Sequence, residues 1–270
     1  MTTFTYRDGI AVLQLVAFFP CLVLSLLLCF RQGLKAVAAC WRFLIILAAL
    51  RVAGSICQLL LIHDPQNIHI ITAKLICDLL GIAPLTLAAV GLLQRVDGTV
   101  EKVPANAFRI ISLISLVGLA LGIYGATQVI DSATSPGSDG VGKVSDMLVA
   151  ALAMFVACLG LMLCLLVFLT SFLSLMPRAE KVIMYSIYAC APFLIVRMVY
   201  ACLGDFGHLQ DFSIFGDGND TIYLIMSVLM EIIVMVICLV IGFKCPPTPV
   251  EPAKSKPRFD AKKGNSVLTF

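Results

Sequence analysis

Four long apolar stretches of this chain contain ionisable side chains: Arg51 in one, Lys74 and Asp78 in another, Arg197 in a third and Glu231 in the last. A charge at the centre of a bilayer costs on the order of 3 kcal/mol by insertion measurements, so such residues are paired, face a cavity, or do chemistry. A carboxylic acid in a low-dielectric site keeps its proton and can act as a general acid. Protonation of an epoxide or terminal alkene would start ring opening or cyclisation of a lipophilic substrate. A second carboxylate would then accept the final proton or activate water. Glu231 and Asp78 are the carboxylates within these stretches and are therefore the catalytic candidates. Arg51, Arg197, Lys74, Tyr200 and Tyr223 would orient them, pair with them or hold the substrate. Arginine–carboxylate pairs that only fix helix register would use the same residues, and both readings stay open at this point.

The elements that must position these residues follow from composition. The chain is 60% hydrophobic and 13% charged, against about 25% charged in soluble domains. Seven segments reach the roughly 20 apolar residues needed to span a bilayer, near 10–30, 41–62, 70–93, 107–130, 147–173, 180–203 and 221–243. The fold expected is all-α: a polytopic domain of seven transmembrane helices over residues 1–243. A disordered, Pro- and Lys-rich tail over 244–270 would follow it. Arg31, Lys35, Arg42, Arg95, Lys102, Arg109, Arg178, Lys181 and the basic tail fall on one side, with Arg7 and Lys143 on the other. The positive-inside rule then puts the N-terminus outside or in the lumen and the C-terminus in the cytoplasm.

Depth, at about 1.5 Å per residue, sets expectations for pairing. Arg51 falls near the midplane and shares a face with Ser55 and Gln58, while Lys74 and Asp78 share a face of the third span. Asp220, Tyr223, Ser227 and Glu231 form one stripe ending at the midplane. By depth the natural pairs are Arg51 with Glu231 and Asp78 with Arg197. Gln14, Tyr124, Gln128 and Tyr188 are further candidates for the lining, and Pro20, Pro84 and Pro192 interrupt three spans. Asp8, Asp64, Asp131, Asp139, Asp205, Asp211, Asp217 and Asp220 fall on the outer side, where they would form an acidic rim.

The remaining motifs are few. The longest outer connections, 131–142 and 204–220, are Gly- and Asp-rich and read as flexible turns. Asn219-Asp-Thr221 is a glycosylation sequon. The eleven cysteines lie mostly within spans and read as packing residues, with Cys245, just past the last span, a palmitoylation candidate. The sequence has no Gly-rich phosphate loop and no metal-ligand spacing, so no cofactor and no metal are expected. The partners expected are a lipophilic small-molecule substrate and membrane lipids, with no nucleic acid; protein partners are open.

Tyr6-Arg-Asp-Gly-Ile10, Leu50-Arg-Val-Ala-Gly-Ser-Ile-Cys-Gln58, Pro192-Phe-Leu-Ile-Val-Arg-Met-Val-Tyr200 and the segment Met226 to Glu231 resemble a fungal seven-span family of integral membrane proteins of unknown function, over about residues 4–243. More loosely, the chain is similar in size and span count to the membrane-bound cyclases and epoxide-opening enzymes of fungal meroterpenoid and polyketide pathways. That likeness implies a membrane-embedded cyclase or hydrolase working by acid–base catalysis, in the endoplasmic reticulum or plasma membrane. Two other classes stay in view: a seven-span receptor-like or lipid-handling protein, and an exporter or proton-coupled carrier.

Overall fold

The computed structural model describes residues 5–32, 39–64, 67–134, 146–205 and 219–245. The expected tail beyond Cys245, and most of the two Gly- and Asp-rich outer connections, lie outside the described residues.

The apolar runs become helices α1 (Tyr6–Gln32), α2 (Ala39–Leu60), α3 (Ile68–Leu80), α4 (Ile82–Val100), α5 (Ala105–Thr134), α6 (Asp146–Thr170), α7 (Arg178–Asp205), α8 (Asp220–Tyr223) and α9 (Met230–Lys244). A wide π-helical turn, Leu224–Leu229, joins α8 to α9. No strand occurs among the described residues. Together these elements make seven helices long and apolar enough to cross a membrane, the third being α3 with α4 and the seventh α8 through α9. The protein is a multi-pass integral membrane protein. Helices suit that setting because every backbone N–H finds its acceptor within the same segment.

The third span is the axial element. Buried residues make up 67% of its apolar window, against 33–50% in the other six, and α4 packs on α2, α5, α6 and α7. The outer surface is apolar as well, with Val16, Phe19, Phe30 and Val167 exposed, as a lipid-facing surface requires.

Two departures from regular helix shape the charged interior. The third span is broken at Gly81, between α3 and α4. Pro84 sits in the first turn of α4, where its missing N–H does no harm, but its ring obstructs the carbonyl four residues earlier, at Leu80, and ends α3 there. The π-turn has the second effect. Eight residues of α-helix, from Tyr223 to Glu231, would rotate by about 80° beyond two full turns. One extra residue absorbed in a π-turn reduces that offset to about 20°.

The third span also runs further than its hydropathy indicates. Arg95, expected in a loop, is on α4 and buried, 3.7 Å from Glu180 of α7. Asp97 then closes the turn into α5 by accepting from the backbone N–H groups of Lys102 and Val103.

Candidate functional site

The buried charges converge in the half of the bundle where α1 begins. Glu231 is wholly buried, and its Oε1 accepts from Arg51 Nη2 at 2.5 Å and from Arg197 Nε at 2.8 Å. Arg51 Nη1 donates to Asp78 Oδ1 at 3.1 Å. One guanidinium thus bridges two carboxylates, and one carboxylate oxygen receives two guanidiniums. Such charge-assisted hydrogen bonds are about twice as strong as neutral ones. The expected Arg51–Glu231 pair is present. The expected Asp78–Arg197 pair is not: Arg197 goes to Glu231 because α7 packs on α9, while α3 lies against α2 and offers Asp78 to Arg51.

Glycines make this arrangement possible. A Cβ on Gly81 would overlap the Arg51 guanidinium, so the break in the third span is also the space that receives that group. At Gly54 a Cβ would stand 3.1 Å from Cys77 Cβ. This close approach of α2 to α3 sets Arg51 beside Asp78.

Around the charges runs a hydrogen-bonded collar. The Tyr223 hydroxyl donates to Asp78 Oδ1 at 3.3 Å and accepts from Gln14 Nε2 at 3.2 Å. Ser55 Oγ lies 3.3 Å from Gln14 Oε1 and 2.7 Å from the Arg51 carbonyl. Gln58 Nε2 donates to Asp8 Oδ1 at 2.8 Å, and Asp8 Oδ2 accepts from Thr5 N and Thr5 Oγ1 at the start of α1. Asp8 is therefore a buried member of the network rather than part of an outer rim. Above it, Arg7 lies 3.8 Å from Asp220 and 5.7 Å from the Tyr223 ring centre.

Asp78 stands at the edge of this network and Glu231 at its floor. Asp78, Lys74, Tyr223, Gln14, Gln58 and Arg7 line a narrow cleft with room for about one water, about 10 Å³. Glu231 does not line it. Tyr200 is buried under Arg197, its ring 5.7 Å from that guanidinium and 6.3 Å from the Tyr223 ring, so it packs the cluster. Tyr124, Gln128 and Tyr188 are exposed, and Tyr188 is hydrogen-bonded to Thr170. The structure does not bring these three into the lining.

Five buried polar atoms of the cluster have no hydrogen-bond partner among the described residues: Arg51 Nε, Gln58 Oε1, Arg197 Nη1, Ser227 Oγ and Glu231 Oε2. Asn219, the sequon residue, is exposed and caps α8, its side-chain oxygen accepting from Thr221 N at 3.0 Å. Cys245 is buried, and that burial pushes its thiol above the ordinary range, which does not favour acylation at that sulfur.

Asp8, Arg7 and Gly81 belong to the site although residue type and depth alone do not select them. Asp8 has a signal, since Thr5-Tyr-Arg-Asp8 is a helix-start pattern that places the carboxylate on the first turn of a span. Nothing in the sequence marks Gly81 as the seat of Arg51.

The model of a family described as a domain of unknown function (DUF7702) matches residues 4–247, which takes in all of the described residues. The chain belongs to that family. The match takes in every element of the charged cluster, from Asp8 to Glu231. No curated protein and no solved structure matches the chain.

Proposed function

We propose that the protein is a membrane-embedded enzyme, a cyclase or epoxide-opening hydrolase, that acts by acid–base catalysis on a lipophilic substrate. The observation behind this reading is the division between the two buried carboxylates. Glu231 is an acceptor for two guanidiniums and is sealed from the cleft, whereas Asp78 lines the cleft beside a hydroxyl and an ammonium.

The division suggests distinct roles. A general acid must donate a proton, and Glu231 is engaged as an acceptor, so in this proposal it is a positioning residue that fixes Arg51 and Arg197. Asp78 is the reacting carboxylate. In epoxide opening, a donor in the cleft, Lys74 Nζ or the Tyr223 hydroxyl, gives its proton to the epoxide oxygen as the C–O bond breaks. A substrate alkene, or a water from which Asp78 takes a proton, supplies the electron pair to the carbon. When an alkene attacks, Asp78 removes the proton from the resulting cation and regenerates the double bond. Proton transfer from positioned groups of this kind contributes roughly 10²–10⁴-fold to rate.

The substrate class carried by this reading is a terpenoid or polyketide intermediate of fungal secondary metabolism, met in the endoplasmic reticulum or plasma membrane. The test is conversion of an epoxidised polyene by microsomes containing the full chain, read by mass spectrometry of the product. Unaltered recovery of the substrate, with the protein folded, would reject the enzymatic reading.

A second reading has one observation in its favour. The cleft has room for about one water, about 10 Å³, far below the roughly 300–1,000 Å³ of most small-molecule sites. That would suit a receptor-like or lipid-handling protein whose polar core reports on a ligand without transforming it. Ligand-dependent stabilisation with no chemical change in the ligand would favour it.

A further inference from the structure

The cleft beside Asp78 is polar out of proportion to its size. It has room for about one water, about 10 Å³, yet Arg7, Gln14, Gln58, Lys74, Asp78 and Tyr223 all line it. Two acceptor oxygens of this lining are open. Gln58 gives Nε2 to Asp8 Oδ1 at 2.8 Å, and Asp8 is not among the cleft's walls. A carboxylate accepts only from the NH₂ of an amide, so this bond fixes how the Gln58 amide is turned and directs Oε1 away from Asp8. That oxygen is buried and has no hydrogen-bond partner among the described residues. On Asp78, the bonds from Arg51 and Tyr223 both end on Oδ1, which leaves Oδ2 open.

Buried polar groups in folded proteins are nearly always satisfied, by protein or by ordered water. A buried water needs roughly 10–15 Å³ of space and typically makes about three hydrogen bonds. The cleft supplies both: open acceptors on Gln58 and Asp78, and the N–H donors of the Lys74 ammonium. Charge decides against an ion. In and beneath the cleft, Arg7, Arg51, Lys74 and Arg197 are matched by Asp8, Asp78, Asp220 and Glu231. An added cation or anion would be buried without a counter-charge, which is strongly unfavourable. A water adds no charge, and its two donors and its acceptor oxygen complement these three groups.

We infer that the cleft is a binding site for a single ordered water, which donates to Gln58 Oε1 and Asp78 Oδ2 and accepts from Lys74. Asp8, on the first turn of α1, serves the site by turning the Gln58 amide. The presence of the water does not depend on the proposed enzymatic reading; its use rests on that reading and selects the hydrolytic branch of it. The water oxygen bonds to the epoxide carbon as the C–O bond breaks, Asp78 takes a proton from the water, and the cleft donor gives one to the epoxide oxygen. Proton transfer from Asp78 back to that donor restores the resting state. The product is a vicinal diol with one oxygen from the held water.

The test is X-ray radiolytic footprinting of the full chain in lipid nanodiscs, with water itself as the probe. Hydroxyl radicals formed from a held water oxidise the side chains beside it, and peptide mass spectrometry maps them. The expected result is oxidation of Tyr223 and Ile10, which line the cleft. Gln58→Met, or independently Lys74→Met, removes one partner of the water and is expected to lower that oxidation about fivefold, as loss of one ordinary hydrogen bond would do. His63, exposed in the turn after α2, records radicals from bulk solvent and should keep its yield. The thermal unfolding midpoint is the folding control, and should one variant fail to fold, the other still decides. Wild-type protein without oxidation at Tyr223 and Ile10 would overturn the inference, as would yields there that fall in neither variant. Cleft oxidation without conversion of any epoxide would remove the enzymatic reading and leave the water site standing. Diol formation without cleft oxidation would do the reverse.

Discussion

Toward the end of the bundle where α1 begins, Arg51, Arg197, Asp78 and Glu231 are joined by hydrogen bonds of 2.5–3.1 Å, with a narrow polar cleft at their edge. Toward the opposite end, Arg95 and Glu180 face each other across 3.7 Å, too far for a good hydrogen bond. Their surroundings are tight: a Cβ on Gly91 would lie 2.7 Å from Cys40 Cβ, and one on Gly242 would lie 2.7 Å from the Trp41 ring. Both ends bury an arginine with a carboxylate. What separates them is space and connectivity. Charge burial alone therefore marks a helix contact; a buried network that joins several helices and opens onto a cleft marks a candidate site.

The largest effect that could break this contrast is expected from Glu231→Gln. It would leave two buried guanidiniums short of a negative charge, and removal of one partner of a buried pair costs about 3–5 kcal/mol. Denaturant or thermal unfolding in detergent would read this; a loss below about 1 kcal/mol would mean the network is solvated in a way the structure does not show. Asp78→Asn comes next. It gives up one charged hydrogen bond at the network's edge, about 1.5–3 kcal/mol, measured in the same assay. Gly242→Ala probes the other end by overpacking against Trp41 and Leu28, with an expected loss of about 1–3 kcal/mol and no change in cleft oxidation or turnover. The smallest effect on turnover is assigned to Glu180→Gln, whose loss of stability should stay below that of Glu231→Gln because one buried guanidinium rather than two loses its counter-charge. A collapse of turnover in that variant would erase the distinction between the two ends.

The spans were legible in the sequence because length and hydropathy alone dictate a membrane helix, and the seven segments agree with the structure to within a few residues at most ends. The third span is the exception. It reaches Val100 because Arg95 and Asp97 are satisfied inside the protein, by Glu180 and by the following turn, and hydropathy cannot anticipate a charge that tertiary contact makes tolerable. Depth found Arg51 and Glu231 as partners, since both lie near the midplane. It misassigned Arg197, because depth gives position along the membrane normal and not which helices are neighbours around the bundle. The packing of α7 on α9 supplies that missing coordinate. The π-turn that keeps Tyr223 and Glu231 on the same cluster leaves no local sequence trace, since its residues Leu224–Leu229 are ordinary helix formers.

The central claim is that the two buried carboxylates differ in kind, with Asp78 reacting and Glu231 holding the arginines in place. It is tested most directly by the turnover of Asp78→Asn in microsomes, normalised to folded protein. The predicted result is a loss of about 10²-fold or more, as expected when a proton-transfer group is removed. Product formation equal to that of the wild type would contradict it.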